Sequence, residues 1–277
     1  MNRKNLLLLT IAAVFFFSTA AFSQEKKNEK KNSFYSLVAN VEFGFLAVAD
    51  HKIQFGNPGT YVDYVKDGGQ DVLLPVSRVS LDLILDKNHR ISFLYQPLEI
   101  KTTATLTRNL QIDGVTFNSG QDVEFLYSFP FYRLSYTYDI IKGSKHTVAF
   151  GASIQIRNTV ISFRDLDGSE FVRKSNIGPV PVLKFYWKTK FDNGFWIGSE
   201  IDGFYAPISV LNGSTTEVVG AIVDASLRGG ITVSERAEVF LNFRYLGGGA
   251  VGSSDDGYTK NWLHFLTVTA GATFRLI

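Results

Sequence analysis

The feature that most constrains this chain is a two-residue alternation of side-chain character, held in each segment for about ten residues. In 267–276, Thr267, Thr269, Gly271, Thr273 and Arg275 fall on one face, and Val268, Ala270, Ala272, Phe274 and Leu276 fall on the other. Val239, Leu241, Phe243 and Tyr245 alternate with Glu238, Phe240, Asn242 and Arg244. Leu183, Phe185 and Trp187 alternate with Lys184, Tyr186 and Lys188, and Val79, Leu81 and Leu83 with Arg78, Ser80 and Asp82. A period of two is the period of a strand, whose successive Cβ atoms point to opposite sides. Strands of soluble proteins are usually about 5–6 residues long. These approach the roughly 9–11 residues that a tilted strand needs to cross a bilayer.

Ten such strands are predicted, near 35–48, 76–86, 90–103, 123–138, 145–159, 180–191, 195–209, 217–233, 236–247 and 261–276. The connections alternate in length. Those at 86–89, 140–145, 192–194 and 234–236 are short, and those at 49–75, 104–122, 160–179, 210–216 and 248–260 are mostly longer. An even strand count, short turns on one side and long loops on the other predict an all-β fold. It is a ten-stranded antiparallel transmembrane β-barrel, an up-and-down meander with both termini on the short-turn, periplasmic side. The five long connections carry Asp67-Gly68, Asp113-Gly114, Asp167-Gly168, Asn212-Gly213 and Asp256-Gly257. Such pairs are hairpin-turn signals. Two readings stay open for them: hairpin tips on strands that rise above the membrane, or plain turns within loops.

The first segment reads as an address. Arg3 and Lys4 precede an apolar run from Leu6 to Phe17, and Ala21-Phe22-Ser23 supplies the small residues of a cleavage site. This predicts a signal peptide over 1–23, cleaved after Ser23, then a polar Lys-rich leader over 24–33 and the barrel over 34–277. The alternative for the first segment is a retained anchor helix. Other classes are closed off by composition. At 45% apolar and 14% aromatic, the chain is too hydrophobic for a disordered protein. It has no Cys, which removes a disulfide scaffold, a Cys-based zinc site, a Cys nucleophile and a lipid anchor carried on Cys. A net charge of +2 gives no reason to expect nucleic acid as a partner.

The predicted inward face is heavily charged. Alternation sends Glu42, Asp82, Glu200, Asp202, Asp224 and Glu238 into the lumen, together with Arg78, Arg133, Arg157, Lys184, Lys188, Arg228, Arg244 and Arg275. Charges in a narrow, poorly hydrated interior must be paired, so this near-balanced set predicts a salt-bridge network that fills the barrel. One hairpin fixes its own register. A three-residue loop at Asp192-Asn193-Gly194, with Gly194 left-handed, pairs Phe191 with Phe195. That sets Lys184 opposite Asp202 and Tyr186 opposite Glu200, all facing inward, with Lys188 diagonal to Glu200.

At the C-terminus, Thr269, Gly271, Phe274 and Leu276 resemble the sorting signal that barrel-assembly machinery reads on a last strand, although Ile277 stands where an aromatic usually ends it. With the first segment and the ten strands, the chain resembles small bacterial outer-membrane β-barrel proteins over 34–277. The resemblance implies a Gram-negative outer-membrane location, with the lipid bilayer and the outer-membrane assembly machinery as partners. It names no surface ligand.

Little points to catalysis. His89 and His146 fall at periplasmic turns, and His51 falls in the first long connection. His264 falls on the outward face near Trp262, where an aromatic belt is expected. Its one catalytic reading uses Asp255 and Asp256 from the same rim. Asp255-Asp256-Gly257 lacks the spaced carboxylates of a calcium loop, and Gly247-Gly248-Gly249 lacks the ending of a phosphate loop. No catalytic residue, metal or cofactor is predicted. The expected role is surface binding, envelope structure or narrow solute passage through a mostly filled barrel. The alternative is a barrel-embedded hydrolase or acyltransferase at the extracellular rim.

Overall fold

A computed structural model describes residues 34–56, 59–86, 88–143, 145–207, 217–254 and 257–277. The segments read as signal peptide and leader, the Asn212-Gly213 pair, and Asp255 and Asp256 lie outside the described residues. The described chain is a closed ten-stranded antiparallel barrel. Its first strand, β1 (Tyr35–Phe55), lies between β3 (Leu74–Leu85) and the last strand, β15 (Gly257–Arg275), which closes the ring. A short β2 (Val62–Asp63) pairs with the top of β1. From β3 the ring continues to β4 (His89–Gln96), β9 (Phe131–Lys142), β10 (His146–Asp165) and β11 (Phe171–Lys190). It returns through β12 (Phe195–Pro207), β13 (Glu217–Ser234) and β14 (Ala237–Ser254) to β15.

Two of the ten strands are interrupted at facing prolines. β4 resumes above as β5 (Glu99–Thr105), and β9 is preceded by β8 (Asp122–Ser128). Gln96 pairs with Phe131 and Glu99 with Ser128, so one register runs through the break and sets Pro97 opposite Pro130. Neither proline has an N–H to give to the ladder, and both strands lapse there. The strands predicted at 90–103 and 123–138 are these two composite strands.

Along the lower part of the barrel the outward face is apolar. Phe43, Phe45, Leu81, Phe93, Leu134, Ile154, Leu227, Leu241, Phe243 and Val268 are exposed there. Aromatic pairs edge this belt on both sides. Tyr95 and Tyr132 lie 5.1 Å apart on the side of the long connections, and Phe191 and Phe195 5.7 Å apart on the side of the short turns. His264 faces outward, and its Nδ1 lies 2.7 Å from the Tyr245 hydroxyl.

Higher up, the polarity of the wall is reversed. On β1 a register shift between Val48 and Asp50 changes which residues point inward. Beyond it His51, Ile53 and Phe55 are buried, while Asp50, Lys52 and Gln54 are not. The lipid-crossing part of β1 therefore ends near Ala49. From just below that level upward, Leu46, Ile53, Leu98, Ile100, Phe125, Tyr127, Phe163, Leu246 and Phe265 belong to one apolar core enclosed by the barrel. The long connections add to that core. The hairpin β6 (Leu110–Ile112) and β7 (Val115–Phe117) contributes Leu110, Ile112 and Phe117, all essentially inaccessible.

Several expected loop residues are thus strand. β1 continues through 49–55, β10 to Asp165, β11 begins at Phe171, and β14 and β15 meet near their tips at Ser254 and Gly257. Consequently His51 belongs to a strand and is buried, rather than lying in a loop. Asp113 and Gly114 both have positive φ, 52° and 84°, and make the two-residue turn of β6–β7. Asp167-Gly168 caps the β10–β11 hairpin, whereas Asp67-Gly68 sits in a plain turn.

Candidate functional site

The predicted lumen residues meet in a network that crosses the barrel instead of following its wall. Asp202 on β12 and Asp224 on β13 are directly opposed in the ladder. Two carboxylates so placed repel. Arg133, reaching over from β9, bridges them at 2.8 and 3.1 Å, and its other guanidinium nitrogens donate to Gln155. On the other side Glu42, 2% exposed, accepts from Arg228 at 3.0 Å, Asn242 at 2.7 Å and Thr269 at 2.8 Å. Arg78, opposite Glu42 in the ladder, stands 3.6 Å from Asp224 and 3.9 Å from Glu200. Glu200 also takes Arg228 at 2.8 Å, and Arg244 lies 3.3 Å from Asp224. The cavity beside Arg78, Asp82, Arg90, Tyr186 and Glu200 measures about 20 Å³, room for one water.

At the 192–194 turn, Phe191 N–H donates to the Phe195 carbonyl and Gly194 has φ 82°. Lys184 then faces Asp202, and Tyr186 faces Glu200. Lys184 Nζ lies 3.1 Å from Asp202 and 3.3 Å from Glu200. The expected diagonal from Lys188 to Glu200 is not formed. Arg228 and Lys184 already occupy Glu200, and Lys188 pairs with Glu238, as does Lys190.

Lys188 and Glu238 form a separate pair with Lys190, and two further predicted members stand apart from the ion pairs. Arg157 lies above them and donates to Asn176. Arg275 is exposed at the last residue of β15, where its side chain reaches water and needs no lumen partner. Alternation reads the rest of the strand correctly but does not register where the lumen ends. Arg90 was missed; it lies 3.5 Å from Asp82 and 4.7 Å from the Tyr186 ring centre. Its signal was the alternation of Arg90, Ser92 and Leu94 with Ile91, Phe93 and Tyr95.

The four residues of the expected sorting signal divide by face. Thr269 points inward to Glu42, and Phe274 and Leu276 are exposed on the outside. Gly271 lies under the ring of Phe240, where a Cβ would come within 2.5 Å of Cζ.

Above the network, the enclosed apolar core contains one polar nest. His51 stacks on Tyr64 with ring centres 4.1 Å apart and planes 8° from parallel. Tyr127 meets the same imidazole edge-on at 4.4 Å. His51 Nδ1 donates to Gln70 Oε1 at 3.0 Å. His51 lies above the lipid-crossing part of β1. Burial drives its pKa down to about 4, outweighing Gln70, Asp50, Asp63 and Asn261, which favour the charged form. Burial likewise pushes the Tyr64 hydroxyl well above its ordinary range.

Tyr64 and Gln70 belong to residues 59–73, which replace missing wall. Among the described residues, β1 loses β3 above Leu46, β3 loses β4 above Val79, and β5 pairs only with β8. The intervening segment is held to β1 through β2 and a 2.9 Å bond from Tyr64 N–H to the His51 carbonyl. Arg108 clamps it with two bonds to Asp67, at 2.6 and 3.0 Å, and one to the Tyr61 carbonyl at 2.9 Å.

The closed meander, its apolar belt and its aromatic edges define a small outer-membrane β-barrel protein. No family model matches the chain, and no curated protein does. Among solved structures it is similar to the outer membrane protease OmpT from Escherichia coli, at 12% identity over 91% of this chain and 99% of that one, with a TM-score of 0.41. It is also similar to Neisserial surface protein A, at 10% identity, 88% and 98% coverage and a TM-score of 0.34. Ail, the attachment invasion locus protein of Yersinia pestis, has 9% identity, 86% and 99% coverage and a TM-score of 0.33.

Proposed function

We propose that this protein is a non-conducting outer-membrane barrel that acts in binding at its extracellular end. The observation that carries this reading is that the interior is filled twice, by two different chemistries. Ion pairs tie β3, β9, β12, β13 and β1 together across the lower lumen, and an apolar core occupies the upper part. A hydrated solute would have to displace both, and breaking buried ion pairs costs several kcal/mol per uncompensated charge. Solute passage is therefore the weaker of the expected roles. In this reading, residues 1–23 direct export and are removed after Ser23, and the assembly machinery reads Thr269, Gly271, Phe274 and Leu276. The charged lumen set is structural, and the raised strands and loops form the working surface.

Planar-bilayer recording tests the reading. Purified protein whose insertion is verified by heat-modifiable migration in the same vesicles should give no current steps, under conditions where a porin does. Reproducible unitary steps from the inserted protein would overturn it.

A further inference from the structure

We propose that the aromatic box above the lipid belt is a binding site for a small ring bearing one hydrogen-bonding group, of the phenol class, and that Tyr64 is its built-in occupant. The walls belong to the barrel: His51 on β1, Phe125 and Tyr127 on β8, and Phe163 on β10. All are essentially inaccessible and fixed by long ladders. The ring inside is supplied from elsewhere. Tyr64 lies parallel to His51 at 4.1 Å, with Phe125 and Phe163 each 5.8 Å away. It arrives on segment 59–73, whose only ladder among the described residues is the two-residue pairing of β2 with β1.

The fit of the ring is good and that of its polar end is not. Among the described residues, the Tyr64 hydroxyl, His51 Nε2 and Gln70 Nε2 are buried without a hydrogen-bond partner. Buried polar atoms are normally partnered. A tethered phenol has its orientation set by its own backbone. A free one of the same size can rotate within the box until its hydroxyl meets His51 Nε2 or Gln70 Nε2. The box thus offers a free ring something it does not give Tyr64.

Access follows from the missing wall. Among the described residues, the gap between the top of β1 and β5 is closed by segment 59–73. That segment is held by the two-residue β2 pairing, single backbone bonds to His51 and Gln111 and the Arg108 clamp, not by a full strand ladder, and panels without a full ladder open before the strands beside them. Its foot presents Val72 and Leu73, 49% and 68% exposed, beside the upper edge of the lipid belt. An apolar ring coming from outside therefore meets apolar side chains on its way to the panel. This inference does not depend on whether the lower lumen conducts.

The test staples the panel. Lys52 faces Asp63 in the β1–β2 pairing, and the chain has no other cysteine, so Lys52→Cys with Asp63→Cys places one reversible disulfide beside Tyr64. Binding of p-cresol to the folded full chain is measured by titration calorimetry, with folding checked by heat-modifiable migration. The wild type and the reduced pair should bind, and the oxidised pair should bind at least tenfold more weakly. p-Xylene, which lacks the hydroxyl, should bind about tenfold more weakly than p-cresol. In Tyr64→Ala the competing ring is gone, and p-cresol should bind at least tenfold more tightly than to the wild type. If that variant fails to fold, the cysteine pair carries the test alone. Equal affinity in the oxidised and reduced forms, or no binding by wild type and reduced pair, overturns the proposal. Equal affinity for the two ligands overturns its hydrogen-bonding part.

Discussion

Asp202 and Asp224 face each other across β12 and β13, an arrangement tolerable because Arg133, Lys184, Arg244 and Arg78 all bring positive charge to this pair. Removing one member of such a set strips buried charges of a partner, at a cost of up to about 3–5 kcal/mol. Lys184→Met and Asp202→Leu should each destabilise the barrel in urea titrations in lipid vesicles. The double variant should lose less than their sum, by about 1 kcal/mol or more. Strict additivity would mean the two side chains do not interact. His51 gives a pH signature. Its folded pKa, about 4, lies below the ordinary histidine value of 6.5, so the unfolded chain binds more protons between those values and stability rises with pH there. The contribution is complete above about pH 6.5 and is lost as pH falls toward 4, on the order of 2 kcal/mol gone by pH 5. This window lies above the ordinary carboxylate range of about 4. Unfolding free energies at pH 7 and pH 5 should differ by that amount in the wild type, and the difference should shrink in His51→Gln.

At the scale of the element, the lower strand halves were readable in the sequence because a lipid-facing row and a charged lumen row contrast as strongly as two faces can. On β14, Leu241 is exposed and Asn242 is buried against Glu42, as alternation requires. Leu241→Arg should cost about 2–4 kcal/mol in refolding titrations if the position sits at the midplane. A change below about 1 kcal/mol would place it near an interface. The upper halves were unreadable for a physical reason. Where a strand leaves the lipid, its apolar row passes from the outside to the inside, so the pattern loses the polarity that marked it as membrane-crossing. The shift after Val48 compounds this. Counting by twos from Glu42 sends Lys52 inward, whereas the structure buries His51, Ile53 and Phe55. Facing prolines are equally silent in a linear reading, since Pro97 and Pro130 are partners only once the register is known. For the same reason sequence reasoning found the ion-pair lumen, whose charges announce themselves, and missed the aromatic box, whose residues look like ordinary strand and loop.

For the whole molecule, closure of β1 on β15 is the decisive step, and Thr269, Gly271, Phe274 and Leu276 all lie on or just beyond the closing strand. Replacing Phe274 and Leu276 together with Asp should block assembly, read as loss of the heat-modifiable form in outer-membrane fractions. Charge near an interface costs only about 0–1 kcal/mol, so a severe defect would reflect lost recognition by the assembly machinery. Normal accumulation would remove that role from these residues. The reversal of polarity partway up the wall also acts as a depth gauge. Sinking the barrel by one residue pair would draw Asp50 and Lys52 toward hydrocarbon, and lifting it would bring Leu266, opposite Ala47 just below the boundary, into water. Either displacement is uphill, so this boundary on the outer wall fixes the height at which the protein floats, and with it how far its long connections stand above the bilayer.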